Sequence, residues 1–118
     1  MATTMAHVLS ISYDPNLLKT RELLLKRMGH RVTSAEGFAQ AIRLFDDSTF
    51  ELIIMGHSIP HEDKRAMLHE CRKRCSCPVL ALLRPNEPPL EKADRSVDSS
   101  DPYAFITAID RLLAEMNR

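Results

Sequence analysis

The sequence predicts a doubly wound α/β domain, in which helices cover both faces of a five-stranded parallel sheet. Three observations lead to this fold class. Strand and helix patterns alternate along the chain, the third and fourth strand patterns are almost entirely apolar, and the connections between elements are short. Strands that are apolar throughout are typical of the centre of a parallel sheet, because helices bury them on both sides. A crossover between parallel strands packs its helix back onto a face of the sheet.

Five segments are predicted to be strands. His7–Ser12 is short and apolar, Arg31–Ala35 is weak, and Leu52–Met55 is the strongest strand pattern in the chain. Pro78–Leu83 is a second apolar segment, and a weak strand is expected around Arg95–Val97. The two strongest strands are therefore expected at the centre of the sheet.

The predicted helices follow these strands. Asp-Pro pairs at positions 14–15 and 101–102 provide an N-cap and a first-turn proline for the first and last helices, and Gly29 is expected to end the first. Arg21 alone interrupts the apolar stripe of the first helix. The third helix is expected to carry many charges on its outer side. The apolar residues that mark the four helices are Leu17, Leu18, Leu24, Leu25 and Met28; Phe38, Ala41, Ile42 and Phe45; Ala66, Met67, Leu68 and Cys71; and Phe105, Ile106, Ile109, Leu112, Leu113 and Met116.

A helix between the fourth and fifth strands is predicted to be short or absent. The segment Arg84–Leu90 contains three prolines, which prevent a regular helix through most of it. Any helix there would be confined to about Leu90–Ala93. We interpret the segment as a flexible loop, with a polyproline-like stretch beside the last helix as the alternative.

Composition excludes several classes of function. Lys plus Arg and Asp plus Glu both total 16, so the formal net charge is zero and neither nucleic acid nor a membrane surface is an expected partner. No apolar run reaches the roughly 18 residues of a membrane span, and Met1–Ala6 does not look like a secretory signal. We therefore expect a cytoplasmic protein.

Three cysteines lie close together, at Cys71, Cys75 and Cys77, and their odd number does not indicate a disulfide framework. They could form a zinc site with His61 or His69, but a pair of spaced knuckles and an evident fourth ligand are missing. We expect Cys71 in the core, two thiols at a helix end, and neither a metal nor a cofactor. A redox role of the cluster stays open.

Several segments together resemble the receiver domains of bacterial response regulators, the CheY-like family. Glu51–Pro60 is similar to their third strand and the loop after it, with Asp63 in a frequent acidic position. Val8–Pro15 resembles the first strand and its loop, and Pro78–Leu83 the fourth strand. The resemblance covers about residues 6–116. It implies a flavodoxin-like sheet of strand order 2-1-3-4-5, and a single domain over residues 1–118 without an effector domain.

The resemblance also implies a phosphoryl-transfer site, in which an aspartate attacks the donor beside a magnesium ion held by an acidic pair. A lysine and a hydroxyl contact the transferred group. In this sequence Asp14, one position after the acidic pair, is the only acid in the first loop. The corresponding positions fall on Ser12 and Tyr13 for the acidic pair, Gly56 for the nucleophile, Leu83 for the hydroxyl, and Asp98 or Ser99 for the lysine.

Two residues after the third strand could in principle replace this chemistry. His57 could act as a nucleophile and Ser58 as a phosphorylation site, but no cationic clamp is evident at the expected positions. We interpret them as a solvated loop histidine and a turn-forming serine. Arg72–Arg74 is likewise interpreted as a solvated basic helix face.

The leading hypothesis is a pseudo-receiver, a non-enzymatic module that binds a signalling protein in a two-component or phosphorelay system. A homodimer through the last helix is a further expectation. The alternatives are phosphorylation on a displaced carboxylate, Asp14 or Asp98, and a small-ligand or redox-sensing module. The expected partner surface is formed by the proline-rich segment, the fifth strand and the last helix, namely Pro85, Pro88, Pro89, Leu90, Val97 and Tyr103.

Overall fold

The computed structural model describes residues 5–116 and contains five strands and four helices. The strands and helices lie where the sequence predicts them, with shifts of one or two residues at their ends. The strands are β1 (His7–Ser12), β2 (Arg31–Glu36), β3 (Leu52–Met55), β4 (Val79–Leu83) and β5 (Arg95–Asp98), and the helices are α1 (Pro15–Arg27), α2 (Phe38–Asp47), α3 (His61–Arg74) and α4 (Pro102–Met116).

The strands form one parallel sheet of order β2-β1-β3-β4-β5, which confirms the predicted fold class and strand order. In the registers of the central strands, Ile11 of β1 pairs with Met55 of β3, and Met55 pairs with Ala81 of β4. The carboxyl ends of β1, β3 and β4 therefore meet at one edge of the sheet, where doubly wound domains place their functional groups.

Alternate residues of the central strands enter two separate hydrophobic cores. Ile53 and Met55 pack on the face covered by α2 and α3, whereas Leu52 and Ile54 pack on the face covered by α1 and α4. All four residues of β3 are fully buried. Burial on both faces explains why this strand is apolar at every position.

The ends of α1 follow the predicted capping pattern. The Asp14 carboxylate accepts hydrogen bonds from the backbone N–H groups of Asn16 and Leu17. At the other end Gly29 has a φ of 94°, which glycine adopts without a steric penalty. The N–H groups of Gly29 and His30 bond back to Lys26 and Leu25, as in a Schellman motif. These caps fix the direction in which α1 crosses the edge of the sheet.

No helix connects β4 to β5, which confirms the prediction for the proline-rich segment. Two side chains attach this connection to the domain instead. Leu90 is 3% exposed and packs into the core beside α3. Glu87, whose side chain is 7% exposed, reaches the fully buried amino group of Lys64 at 2.9 Å. The segment is thus anchored at two points, one apolar and one ionic.

One sequence prediction is wrong at the level of burial. Leu90 was expected at the partner surface, but its packing under the β4–β5 connection leaves almost none of it accessible. Lys64 is an exception to the charged outer side of α3, because its side chain is buried. Lys64 lies three and four residues before Met67 and Leu68, and helical spacing places it on their apolar face. None of the helices within residues 5–116 is long and apolar enough to span a membrane.

Candidate functional site

The candidate site lies at the edge of the sheet where β1, β3 and β4 end. Ser12 is the last residue of β1, Leu83 the last of β4, and Gly56 directly follows β3. Asp98 ends β5 in register with Leu83, and the N–H of Ser99 donates to the Leu83 carbonyl. The fold therefore brings the predicted positions to a common edge.

Gly56 is tightly enclosed on its side-chain face. A Cβ atom added to it would lie 2.7 Å from Arg21 Nη1 and 3.0 Å from the carbonyl oxygen of Ile11. The contact with Arg21 Nη1 is closer than real Cβ atoms come to other heavy atoms, so a residue with a side chain would require the end of the Arg21 side chain to move. The guanidinium of Arg21 fills the space that a carboxylate at this position would need.

Arg21 reaches this space from the inner face of α1 and is 9% exposed. Its Nη2 donates a hydrogen bond of 2.8 Å to His57 Nδ1. Its Nη1, next to Gly56, has no hydrogen-bond partner among the described residues. Burial lowers the pKa of Arg21, although the charge of Asp14 acts against this. An arginine side chain nevertheless stays protonated in folded proteins, so the group remains a cation.

His57 is held in its neutral form by these surroundings. Arginine can only donate, so Nδ1 of His57 is the unprotonated, accepting nitrogen. Burial and the positive charges of Arg21, Lys64 and Arg84 lower the pKa of His57. In this tautomer Nδ1 carries the only free lone pair of the ring, and the guanidinium of Arg21 occupies it, so His57 has no free nucleophilic nitrogen.

Hydroxyl groups form a hydrogen-bonded network at the end of β1. Ser12 Oγ and Ser58 Oγ are 2.7 Å apart, and Ser58 Oγ also accepts the backbone N–H of Tyr13. The Tyr13 hydroxyl donates to an Asp63 carboxylate oxygen at 2.7 Å. Burial, with the hydrogen bond and charge of Asp63, raises the pKa of Tyr13 to about 12. These bonds join the loop after β1 to the loop after β3.

An ionic cluster centred on Glu87 lies beside this network of hydroxyl groups. Its carboxylate accepts from Lys64 Nζ, His61 Nδ1 and the backbone N–H of Arg84. Burial would raise the pKa of Glu87, but these hydrogen bonds outweigh it and hold the pKa below its ordinary value. The Arg84 side chain donates to the carbonyls of His57 and Ser58. The cluster thereby connects the β4–β5 connection to the loop after β3.

The arrangement does not fit a magnesium ion. Magnesium requires several oxygen ligands, usually including carboxylates. Ser12 and Tyr13 carry hydroxyl groups, and Gly56 carries no side chain. The cationic groups of Arg21 and Lys64 lie nearby, and they would repel a divalent cation. These residues therefore lack the carboxylate ligands of a magnesium ion.

The two displaced carboxylates are both engaged in local turns. Asp14 caps α1 through its side chain, as described above. One oxygen of Asp98 accepts from the N–H and the hydroxyl of Ser100, both at 2.8 Å, and these bonds lower the pKa of Asp98. Each carboxylate therefore has a structural partner of its own.

His57 and Ser58 lie in the turn after β3, as predicted for Ser58, but the prediction of a solvated histidine is wrong. Both residues are half-buried, His57 under Arg21 and Ser58 between Ser12 and Tyr13. The sequence contains one signal of this site. Arg21 is the charged interruption in the apolar stripe of α1, and a charged residue on a buried face requires a polar destination.

The predicted partner surface is divided by the structure. Pro85, Pro88 and Pro89 are exposed, as expected of contact residues. Val97 is half-buried and Tyr103 is 79% exposed, and both line a shallow cavity of about 270 Å³ between β5 and α4. These five positions remain a candidate surface, whereas Leu90 belongs to the core.

The cysteines also differ from the expectation of two free thiols. Cys75 and Cys77 are joined by a disulfide, and only Cys71 is free among the described residues. Cys71 is buried in the core, as predicted. No group of three His, Cys, Asp or Glu side chains within residues 5–116 is arranged to hold a metal ion. Sequence spacing did not predict the bond because a pair separated by one residue closes almost no loop.

Solved structures with the same architecture are receiver domains. A two-component response regulator from Clostridium difficile superposes with a TM-score of 0.83 at 16% identity, over 97% of this chain and 100% of the other. This chain has the receiver-domain fold. The response regulator TrrA of Thermotoga maritima, in complex with Mg²⁺ and BeF, matches with a TM-score of 0.76 at 20% identity, over 92% and 99% of the two chains.

A second structure of TrrA, in complex with the histidine kinase ThkA, matches with a TM-score of 0.78 at 20% identity, over 92% and 99% of the chains. No protein-family model matches the sequence, and no curated protein does. At identities of 16 to 20%, these similarities show the fold and leave the roles of the site residues open.

Proposed function

We propose that this chain is a non-catalytic pseudo-receiver, a signalling module that binds a partner protein and is not phosphorylated at the usual site. The observation that carries the proposal is the guanidinium of Arg21, which fills the space beside Gly56. A cation thus occupies the space that the side chain of an aspartate nucleophile would need. A glycine cannot accept a phosphoryl group, and a leucine, Leu83, cannot donate a hydrogen bond to one.

The remaining site residues support this proposal. Ser12, Ser58 and Tyr13 bond to one another and to the backbone, so that the loops around Gly56 are fixed without a metal ion. Arg84 and Glu87 hold the β4–β5 connection against the same loops. In this proposal the domain keeps one conformation, since the groups that would respond to a phosphoryl group are absent.

The proposed setting is a two-component or phosphorelay system in a bacterial cytoplasm. The fold supports the setting, and the complex of TrrA with a histidine kinase suggests the kind of protein that a domain of this shape can bind. The proposed contact surface is the cavity between β5 and α4, with Tyr103 as its exposed aromatic anchor. Aromatic residues of this kind often dominate the energy of protein interfaces.

Partner binding is tested by comparing two surface variants in a pull-down from the source organism. Tyr103→Ala removes the anchor, whereas Leu23→Ala removes a similarly exposed apolar side chain, 58% exposed on α1. We expect a protein that is enriched by wild type and by Leu23→Ala, and that Tyr103→Ala loses at least tenfold. Equal enrichment by all three would place the contact elsewhere.

The emptied metal site is tested by titrating magnesium while recording amide NMR spectra. We expect the amides of Ser12, Tyr13 and Gly56 to shift no more than exposed amides distant from the edge, because carboxylate ligands are missing. A saturable shift confined to these three amides would contradict the proposal.

A further inference from the structure

We propose that the Cys75–Cys77 pair is a reversible thiol–disulfide exchange site for a small thiol of the glutathione type. The site goes beyond the proposed function and uses none of its residues. It lies after α3, where the chain enters β4, and so at the end of the sheet opposite Gly56.

The disulfide is poorly suited to a purely structural role. It joins residues separated by two positions. In the chain-entropy description, a disulfide stabilises a fold mainly by shortening the loops of the unfolded chain, and this effect is smallest for the shortest loops. Reduction is therefore expected to leave the domain folded, which a reversible site requires.

The two cysteines differ in their exposure. Cys77 is 8% exposed, whereas Cys75 is half-buried at the C-cap of α3. Both line an open cavity of about 470 Å³, which is also lined by Phe45, Phe50 and Arg74. Its volume lies within the range of small-molecule pockets. A thiol that enters the cavity meets Cys75 as the more exposed of the two residues.

The polar groups around Cys75 favour a thiolate there. The backbone N–H of Cys77 points at Cys75 Sγ from 3.0 Å. Arg74 brings a positive charge to the cavity, although it also pairs with Glu70, and Glu51 brings a negative one. N–H donors and nearby cations are the features that stabilise reactive thiolates.

Cys71 does not take part. It is 2% exposed, and burial raises the pKa of its thiol to about 12. It remains protonated when the other two exchange.

The exchange proceeds in two balanced steps. The thiolate of the small thiol attacks Cys75 Sγ, the bond between Cys75 and Cys77 breaks, and the Cys77 thiolate leaves and takes a proton from water. A second thiolate then attacks the sulfur of the bound small thiol. This releases the oxidised small disulfide, and Cys75 leaves as a thiolate that takes a second proton from water. Two small thiols are oxidised, and the cysteine pair gains two electrons and two protons.

Hydrogen bonds of Arg72 join the cysteine pair to the segment between β4 and β5. Its Nη1 donates to the Cys77 carbonyl at 3.1 Å, and its Nη2 donates to the Lys92 carbonyl at 2.7 Å and to Asp94 at 2.9 Å. Asp94 also accepts the backbone N–H of Val79, the first residue of β4. A change in the turn at Cys77 therefore acts directly on the residues that lead into β5.

The test equilibrates the full chain with glutathione redox buffers and then traps free thiols with an alkylating agent before intact mass measurement. We expect two additional labels in reduced buffer and their loss in oxidised buffer, with Cys71 labelled only after denaturation. The thermal unfolding midpoint is expected to change by less than about 10 °C between the two forms. The amides of Lys92 and Asp94 are expected to shift.

Two single variants identify the attacking residue. Cys77→Ala leaves Cys75 alone, and we expect oxidised glutathione to add one glutathionyl group to it. Cys75→Ser leaves the buried Cys77, for which we expect at least tenfold slower addition. The proposal is overturned if the pair is reduced only when the chain unfolds, or if both variants react at the same rate.

Discussion

At the end of β3, Gly56 has no side chain and lies against the buried guanidinium of Arg21. A Cβ atom added to Gly56 would lie 2.7 Å from Arg21 Nη1. Within residues 5–116, Arg21 has one side-chain hydrogen-bond partner, His57, which it contacts through Nη2. A buried guanidinium without a carboxylate is costly. The buried charge at this edge of the sheet is therefore the positive charge of Arg21, which disfavours a metal ion.

The arginine should be measurable in the titration of its neighbour. We expect NMR to give His57 a pKa below the ordinary value in the wild type, because burial and then Arg21 oppose its protonation. Arg21→Met keeps the burial and removes the charge, so the pKa of His57 should rise. Arg31→Met, an exposed change on β2, should leave it unaltered.

The same shift has a consequence for stability. The folded pKa of His57 lies below that of the unfolded chain, so the unfolded state binds more protons. The free energy of unfolding should therefore fall as the pH drops from about 6.5 through the folded pKa. His30, whose pKa burial also lowers, contributes in the same direction. An equal His57 pKa in wild type and Arg21→Met would contradict the role assigned to Arg21.

Among the elements, the connection from β4 to β5 departs most from a regular α/β alternation. Three prolines prevent a helix, and the connection is fixed by Leu90 in the core and by Glu87 on Lys64. Arg84 extends the attachment to the loop after β3. The surface next to β5 and α4 is consequently set by side-chain anchors and not by helix packing.

The ionic anchor should be needed for stability. Glu87→Gln leaves the Lys64 ammonium buried beside a neutral amide, and we expect the free energy of unfolding to fall by about 3 kcal/mol in urea unfolding at pH 7. Glu91→Gln, an exposed change in the same connection, should stay within about 0.5 kcal/mol.

The effect of Glu87 should disappear in acid. Its folded pKa lies below the ordinary value of 4.5, so its stabilisation is present above that pH and is lost as the pH falls through the folded pKa. The difference in the free energy of unfolding between wild type and Glu87→Gln should therefore become smaller as the pH is lowered. Equal costs for the Glu87 and Glu91 variants would show that the anchor is unimportant.

On the scale of the whole molecule, the fold followed from the sequence more completely than the site did. The apolar runs at β3 and β4 and the Asp-Pro starts of α1 and α4 report local backbone preferences and burial, which a sequence carries directly. The three prolines predicted that a helix between β4 and β5 would be short or absent. The position of Gly56 directly after β3 also followed from the strand pattern.

What fills the site could not be predicted in the same way. Arg21 and Gly56 are 35 positions apart, and their contact depends on the angle at which α1 crosses the sheet. The helical face of Lys64 was predictable from its spacing to Met67, but its partner Glu87 was not, because it lies in an irregular segment. The short disulfide between Cys75 and Cys77 likewise leaves no pattern in the spacing.

The absence of phosphorylation is tested most directly by intact mass measurement after incubation with acetyl phosphate and magnesium. We expect an unmodified chain, because the edge of the sheet presents Gly56 and Arg21 where a carboxylate would have to attack the donor. Asp14→Asn and Asp98→Asn should behave like the wild type. A stable, stoichiometric phosphate adduct on the wild type that either of these variants abolishes would contradict this expectation.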